Sequence, residues 1–436
     1  MGRVIVASGV SNSSTRERQG RCGGPTRAFR PIKRVTGGKH GFTFFRLGER
    51  FAITRLTITG DSSVKAPVVL LTGATGFIGG ATLAQLLRSY PDCHVLLLVR
   101  AATEADAFAR VQHSVGRFIE PAMGNLRSCS VICGDLTDFQ TFANLRLHGT
   151  MRLEDVTHVL HLASNTSFRS VRGVRHTNIL GALALAHRMR RVPELKRFLY
   201  VGTACICGEE SDRIVHEDDY PRYGAKHIVE YTNSKAECEM LLDATAPEMP
   251  LIVARPSVVV GHTKLGCLPS ASVFWFYRTA DLLRRLTCPL DTYNDVVPVD
   301  YVADALLHLL FKPELRYRRY HISAGEQSSV TCHEIADVFA QYYGPRPDNP
   351  YKVVDFATIA EERHRLGALL GSGDEERLLM ALGIYYRFMK MKAEIFDNRR
   401  LLDECMPAPP KFTSYLRLCA ERPSDRSVYE QMLDDE

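Results

Sequence analysis

Thr72-Gly73-Ala74-Thr75-Gly76-Phe77-Ile78-Gly79-Gly80 follows an apolar run, Ala66-Pro67-Val68-Val69-Leu70-Leu71, and precedes Leu83, Leu86 and Leu87 at helical spacing. The run predicts a buried strand and the leucines a helix, so the glycines occupy a strand-to-helix turn. Each has a physical use there. Gly73 permits a tight turn, Gly76 lets the backbone approach an anion, and Gly79 lets the helix pack on the strand while its N-terminal N–H groups face outward. A pyrophosphate is the expected guest of such a turn, with Thr75, Phe77 and Ile78 beside it. Glycine triplets also occur in ordinary turns, and the rest of the chain has to decide.

Around this stretch lie 436 residues, 45% of them hydrophobic, enough for a large core in one domain or two intertwined ones. Twelve cysteines are scattered without a Cys-x-x-Cys pair. With no secretory signal, that pattern predicts a reduced, cytoplasmic setting rather than disulfides or zinc. No run of eighteen apolar residues occurs, which argues against a transmembrane helix. Residues 1–60 carry twelve Arg or Lys against Glu17 and Glu49, so the net charge of +6 belongs to this stretch and the remainder is slightly acidic. Residues 1–62 are read as a basic extension without strand or helix period. A disordered tail, an organellar transit peptide and translated sequence upstream of the true start all remain open, whereas no motif-like basic patch supports nucleic-acid binding.

Beyond the turn, strand and helix signals alternate, as in a doubly wound parallel sheet. His94-Val95-Leu96-Leu97-Leu98-Val99 ends at Arg100. An NAD site usually places an acidic residue about twenty positions past the glycines to hold the ribose 2′-hydroxyl. A cation there suits the 2′-phosphate of NADP instead. Arg110 is either a second phosphate ligand or a solvated arginine on a helix face. Cys129–Cys133 reads as a third strand running into Gly134-Asp135-Leu136-Thr137, and Val156–Leu162 as a fourth, giving way to Ala163-Ser164-Asn165. His158 and His161 are three apart on that strand, hence on opposite faces and not a metal pair. Asn178 falls in the next helix and is expected to tie backbone.

A fifth strand, Arg197–Val201, ends in Gly202-Thr203-Ala204, and twenty-eight residues after Thr203 stands Tyr231-Thr232-Asn233-Ser234-Lys235 at the start of a helix. Tyr231 and Lys235 are four apart and share a helical face. Reduction of a carbonyl needs a proton donor at the developing alkoxide, and a free tyrosine titrates near 10. An ammonium at about 4 Å in a medium of effective dielectric about 20 is worth about 4 kcal/mol, at most about three pKa units. Thr203 would orient the substrate oxygen. Tyr386 and Lys390 repeat the spacing, but no Thr-bearing strand precedes them, and they are read as helix surface.

The ordered set of glycine turn, Asp135, Thr203, Tyr231 with Lys235, and Arg255-Pro256-Ser257 resembles the extended short-chain dehydrogenase/reductase superfamily. Three features are similar to its thioester reductase and fatty acyl-CoA reductase branch of male-sterility type: Leu98-Val99-Arg100-Ala101 followed by Arg110, Asp295-Val296-Val297-Pro298-Val299-Asp300-Tyr301-Val302, and Phe396-Asp397-Asn398. The resemblance implies a Rossmann-type α/β domain over residues 63–261 and a smaller, mostly helical substrate region over 262–436, with 291–325 returning to the sheet. It implies that Asp135 and Leu136 meet the adenine, that Ala163 borders the cofactor ribose, and that Pro256 and Ser257 lie near the nicotinamide. The implied activity is NADPH-dependent reduction of an acyl thioester to aldehyde or alcohol, without metal. Gly202 stands where such reductases usually carry Ser. No adenylation domain is present, and Leu370-Gly371-Ser372-Gly373-Asp374 reads as a loop rather than a carrier-protein motif. The acyl group is therefore expected on coenzyme A or a separate carrier protein. Trp275, Thr279, Leu282, Leu283 and Leu286 recur at helical spacing as either a buried stripe or an acyl lining. A ketone reductase, epimerase or dehydratase acting on a sugar nucleotide is the rival enzyme reading, and a non-catalytic NADP sensor the rival of another class.

Overall fold

The computed structural model describes residues 66–436 apart from 120–125, 139, 142–151, 169, 365, 368–373, 423–426 and 436. The basic extension, and all but Asp374 of the Leu370–Asp374 loop expectation, lie outside the described residues. Val64–Glu436 forms one compact unit.

Continuous apolar runs become strands because a parallel strand is covered on both faces. The main sheet contains β1 (Val68–Thr72), β2 (His94–Val99), β3 (Cys129–Cys133), β4 (His158–His161), β5 (Arg197–Val201), β6 (Leu251–Pro256) and β7 (Arg319–Ile322). Their order is β7-β6-β5-β4-β1-β2-β3, with all neighbours parallel, which is the expected Rossmann-type doubly wound fold. The chain reverses its winding between β1 and β4. A crevice therefore opens at the carboxyl ends of these strands, the usual ligand position in such sheets.

Helices α1 (Phe77–Ser89), α2 (Glu104–Gly116), α3 (Ala182–Met189), α4 (Glu230–Thr245), α5 (Phe274–Leu283), α6 (Val299–Phe311), α7 (Cys332–Tyr343) and α8 (Glu375–Met389) complete the frame. Alternation along β1 sends Val69 and Leu71 to one core with Leu83, Leu86, Leu306 and Leu310, and Leu70 to the other with Ile179, Leu185, Met189 and Leu242. A third core joins Phe274, Trp275 and Phe276 of α5 to Phe339 of α7 and Leu378, Leu382 and Tyr386 of α8. This corrects the reading of Tyr386 as helix surface: its ring is buried and its hydroxyl donates to the Arg285 carbonyl at 2.8 Å. The face of α8 that carries it abuts α5, a pairing that local spacing does not reveal. Lys390, the residue capping α8, is exposed.

Two buried polar clusters hold the frame in register. Asp295 accepts from the backbone N–H groups of Ala324 (2.6 Å), Phe396 (3.0 Å) and Gly325 (3.2 Å), joining three segments. Burial raises its carboxyl to about 6, against the pull of those same bonds. On α4, Glu239 meets Arg255 of β6, both side chains fully buried, at 2.5 and 3.0 Å. Arg255 also donates to the Glu217 and Asp219 carbonyls, and Glu239 further accepts from Arg319 of β7 at 3.1 Å. Tyr220 lies 3.0 Å from Glu239 and Asp243 alike.

Removing one member of such a pair strands the other charge. Glu239→Ala should lower stability in urea unfolding by about 3–5 kcal/mol, and Glu239→Leu combined with Arg255→Met should recover much of the loss. Equal destabilisation by the single and double variants would show that packing, not charge, holds α4 to β6.

Candidate active site

A cavity of about 540 Å³ opens at the sheet's switch point and runs from the glycine turn to the third core. Gly73, Gly76, Phe77, Ile78 and Gly79 line one end, Thr203, Tyr231, Lys235, Pro256 and Ser257 the middle, and Phe276, Tyr385, Phe388, Met389 and Met391 the far end.

The three glycines separate by what the protein itself requires. Gly73 has φ +80°, and a Cβ there would stand 2.6 Å from the Ala163 nitrogen. At Gly79 it would stand 2.0 Å from the Gly73 carbonyl oxygen, so both glycines serve the packing of turn on strand. Gly76 differs. Its φ is −84°, and a Cβ would meet nothing nearer than the Gly73 oxygen at 3.5 Å, an ordinary contact. Gly76 is also the N-cap of α1 and supplies no side-chain cap, so the first N–H groups of a thirteen-residue helix are left to the cavity. Space and unpaired donors of this kind fit a phosphate.

Thr203 follows β5, is nearly buried, and its hydroxyl accepts from the Cys205 N–H at 3.3 Å. Tyr231 and Lys235 sit one turn apart at the start of α4. Lys235 is buried, and its Nζ donates to the Val201 carbonyl at 2.8 Å, two residues before Thr203. Its ammonium also lies 5.0 Å from the Tyr200 ring. Burial lowers the lysine to about 8, and burial together with Cys205 raises the Tyr231 hydroxyl above its ordinary 10. In this geometry the Tyr231 hydroxyl is raised rather than depressed, since both groups are desolvated and the Lys235 ammonium is held by the Val201 carbonyl. Tyr231 is a neutral hydroxyl that keeps its proton near neutrality.

Asn178 ties backbone, as its position suggested. It sits in a single π-helical turn, His176–Gly181, which turns its amide inward. Its Oδ1 accepts from the Asn165 N–H at 2.7 Å and its Nδ2 donates to Ser234 at 3.0 Å, linking the loop after β4 to the Tyr231–Lys235 turn of α4.

The other candidates border the carboxyl ends of the strands without lining the cavity. Thr75 lies within the glycine turn. Arg100 and Arg110 are exposed side by side, with Arg110 donating to the Arg100 carbonyl. Asp135 accepts from the Thr137 N–H at 2.8 Å and hydroxyl at 2.7 Å, and although burial raises its carboxyl, these bonds, helped by Arg100, hold it below the ordinary value. Leu136 is core, and the Ala163 N–H donates to Thr72 at 3.2 Å. Sequence reasoning missed Tyr385, Phe388, Met389 and Met391 as cavity wall. Their aromatic and thioether density was the available signal. Of the two readings of the stripe from Trp275 to Leu286, the buried one holds: none of Trp275, Thr279, Leu282, Leu283 and Leu286 lines the cavity, and Phe276 and Tyr277 beside them face it instead.

A doubly wound sheet with a helix-capping glycine turn at its switch point and a Tyr-x-x-x-Lys helix beside it defines a dinucleotide-binding domain of the extended short-chain dehydrogenase/reductase type. The chain belongs to the male sterility protein family, whose model matches residues 71–306. A nonribosomal peptide synthetase of Aspergillus flavus is 27% identical over 268 residues, 58% of this chain and 26% of that protein. A putative fatty acyl-CoA reductase of Drosophila melanogaster is 22% identical over 363 residues, 73% of this chain and 64% of that one. Among solved structures, the terminal R domain from the myxalamid PKS-NRPS biosynthetic pathway superposes with a TM-score of 0.66 at 20% identity, covering 83% of this chain and 91% of that domain. The chain thus spans about a quarter of the length of the synthetase it matches.

The buried lysine has a consequence for stability. Its folded value, about 8, lies below the ordinary 10.5, so between about pH 8 and 10.5 the unfolded chain binds more protons than the folded one. The penalty is therefore complete below pH 8 and fades as pH rises through that window. Lys235→Met should raise unfolding free energy at pH 7 by as much as about 3 kcal/mol before loss of the Val201 bond is counted. The gain should shrink toward pH 10, and an equal difference at pH 7 and pH 10 in chemical denaturation would rule out the buried-charge account.

Proposed function

We propose that this chain is an NADPH-dependent reductase of an acyl thioester carried on coenzyme A or a separate carrier protein, yielding aldehyde or alcohol. The observation that carries this reading is the continuity of one cavity from the helix-capping glycine turn, past Thr203 and Tyr231, to an apolar aromatic end. The family and the fatty acyl-CoA reductase and synthetase relatives agree with it. Gly76 and the α1 N-terminus hold the pyrophosphate, and Arg100 with Arg110 the 2′-phosphate. NADPH bound there supplies a hydride.

The residues of the chain do the rest. Thr203 orients the thioester oxygen by hydrogen bonding. Tyr231, neutral because it is buried, donates to that oxygen and passes its proton to it as the carbonyl is reduced. A neutral tyrosine suits donation to an alkoxide, which is far more basic. Lys235 holds the end of β5 through Val201 and so places Thr203 against Tyr231. The resulting hemithioacetal expels thiol to leave an aldehyde, and a second reduction gives the alcohol. Among the described residues no helix is long and apolar enough to cross a membrane.

Following NADPH absorbance with a panel of acyl-coenzyme A and carrier-bound thioesters tests the reading. Tyr231→Phe should lower kcat by about 10²–10⁴-fold. Turnover of a sugar nucleotide with no NADPH consumption by any thioester would replace this reading with the epimerase or dehydratase one. Loss of nothing on Tyr231→Phe would favour the sensor. Separately, Arg100→Ala should weaken NADPH binding by about tenfold or more while sparing NADH, since a charge-assisted phosphate contact is worth about 1.5–3 kcal/mol. Comparable affinities of the unsubstituted protein for NADPH and NADH would remove the 2′-phosphate assignment.

A further inference from the structure

The two ends of the cavity differ in chemistry, and the apolar end is walled by stacked aromatic rings. Tyr385 of α8 is its hub. The Tyr385 ring stacks on Phe276 at 5.5 Å and 26°, meets Trp275 edge-on at 5.1 Å and 90°, and meets Phe168, in the loop after β4, at 5.8 Å. Phe276 in turn packs edge-on against Tyr386 at 5.1 Å. Trp275 and Tyr386 are fully buried and do not line the cavity. The far wall is therefore two aromatic layers deep, braced by α5 and α8.

Size points the same way. About 540 Å³ is the middle of the range for a single drug-sized ligand, yet this space is shared by the glycine turn, the catalytic side chains and the aromatic end. An aryl group reaching that end meets ring edges and faces, the arrangement aromatic pairs favour, with Met389 and Met391 able to adapt around it. A long alkyl chain would have to part a packed aromatic stack or stay in water.

We infer that Tyr385 and Phe276 form a stop for the acyl group, so that the site accepts aryl and short acyl thioesters and rejects long fatty acyl chains. This specificity rests on the thioester reductase reading, and the chain carries its own probe for separating the two. Trp275 is the single tryptophan of the sequence and stands directly behind Tyr385. Binding at the stop should therefore change its emission without any turnover.

The experiment compares benzoyl-, octanoyl- and hexadecanoyl-coenzyme A with the full chain, reading tryptophan emission without NADPH and kcat/KM with it. Benzoyl-coenzyme A should change the emission saturably and exceed hexadecanoyl-coenzyme A in kcat/KM by about tenfold or more, within the range that overpacking a well-filled wall costs. Tyr385→Ala and Phe276→Ala should each shrink that ratio by about tenfold, chiefly through KM for the long chain, and Tyr385→Phe should restore it. Thermal melts show which variants are folded, and either alanine variant suffices. Hexadecanoyl-coenzyme A used as well as benzoyl-coenzyme A by the unsubstituted protein would overturn the stop, as would an unchanged ratio in a folded alanine variant. Length-selective binding without turnover would support the stop while overturning the reductase reading. Neither binding nor turnover of any thioester would overturn both.

Discussion

Glu239 and Arg255 meet at 2.5 Å with no solvent exposure, and the position of α4 depends on that contact. Desolvating two charges costs several kcal/mol each, so the pair survives only with its remaining donors and acceptors satisfied. They are: Arg319 and Tyr220 serve the carboxylate, while the Glu217 and Asp219 carbonyls take the guanidinium. Tyr231, Lys235 and Glu239 follow one another at four-residue intervals on one face of α4. Fixing Glu239 to the end of β6 therefore fixes the rotation of the helix, and with it the direction of the other two. The same arginine precedes Pro256 and Ser257, which line the cavity. One buried contact thus sets two walls of the site.

Burial governs the chemistry at the other end of that face. A tyrosine beside a lysine invites the expectation of a depressed hydroxyl, and the Coulomb estimate allows it. Desolvation acts on both groups, however, raising Tyr231 and lowering Lys235, and the ammonium finds its partner in the Val201 carbonyl rather than in the phenol. The lysine then organises backbone at the end of β5, just before Thr203, and the tyrosine is a buried hydroxyl that keeps its proton. Asp295 obeys the same rule at the cavity's edge, raised by burial even though three N–H groups favour its charged form.

The glycine turn, the strand run-ins and the Thr203, Tyr231 and Lys235 spacing were readable because each depends on local rules: a positive φ, an apolar run, a helical period of four. Family and fold followed from them. The aromatic end was not readable in that way. Tyr385 and Tyr386 are neighbours in sequence, yet one faces the cavity and the other the core. Their division depends on where α5 lies, more than a hundred residues earlier in the chain. The isolated Tyr386–Lys390 spacing looked like a solvated face for the same reason.

By itself the sequence determined a doubly wound sheet, a turn built for a phosphate, and the three side chains placed beside it, because strand burial, glycine conformation and helical period act over a few residues. Only the tertiary structure decided which way the lysine turns, which of two adjacent tyrosines meets the ligand space, and where that space ends. Those outcomes rest on desolvation and on packing between distant segments, and neither is a property of any short stretch of chain.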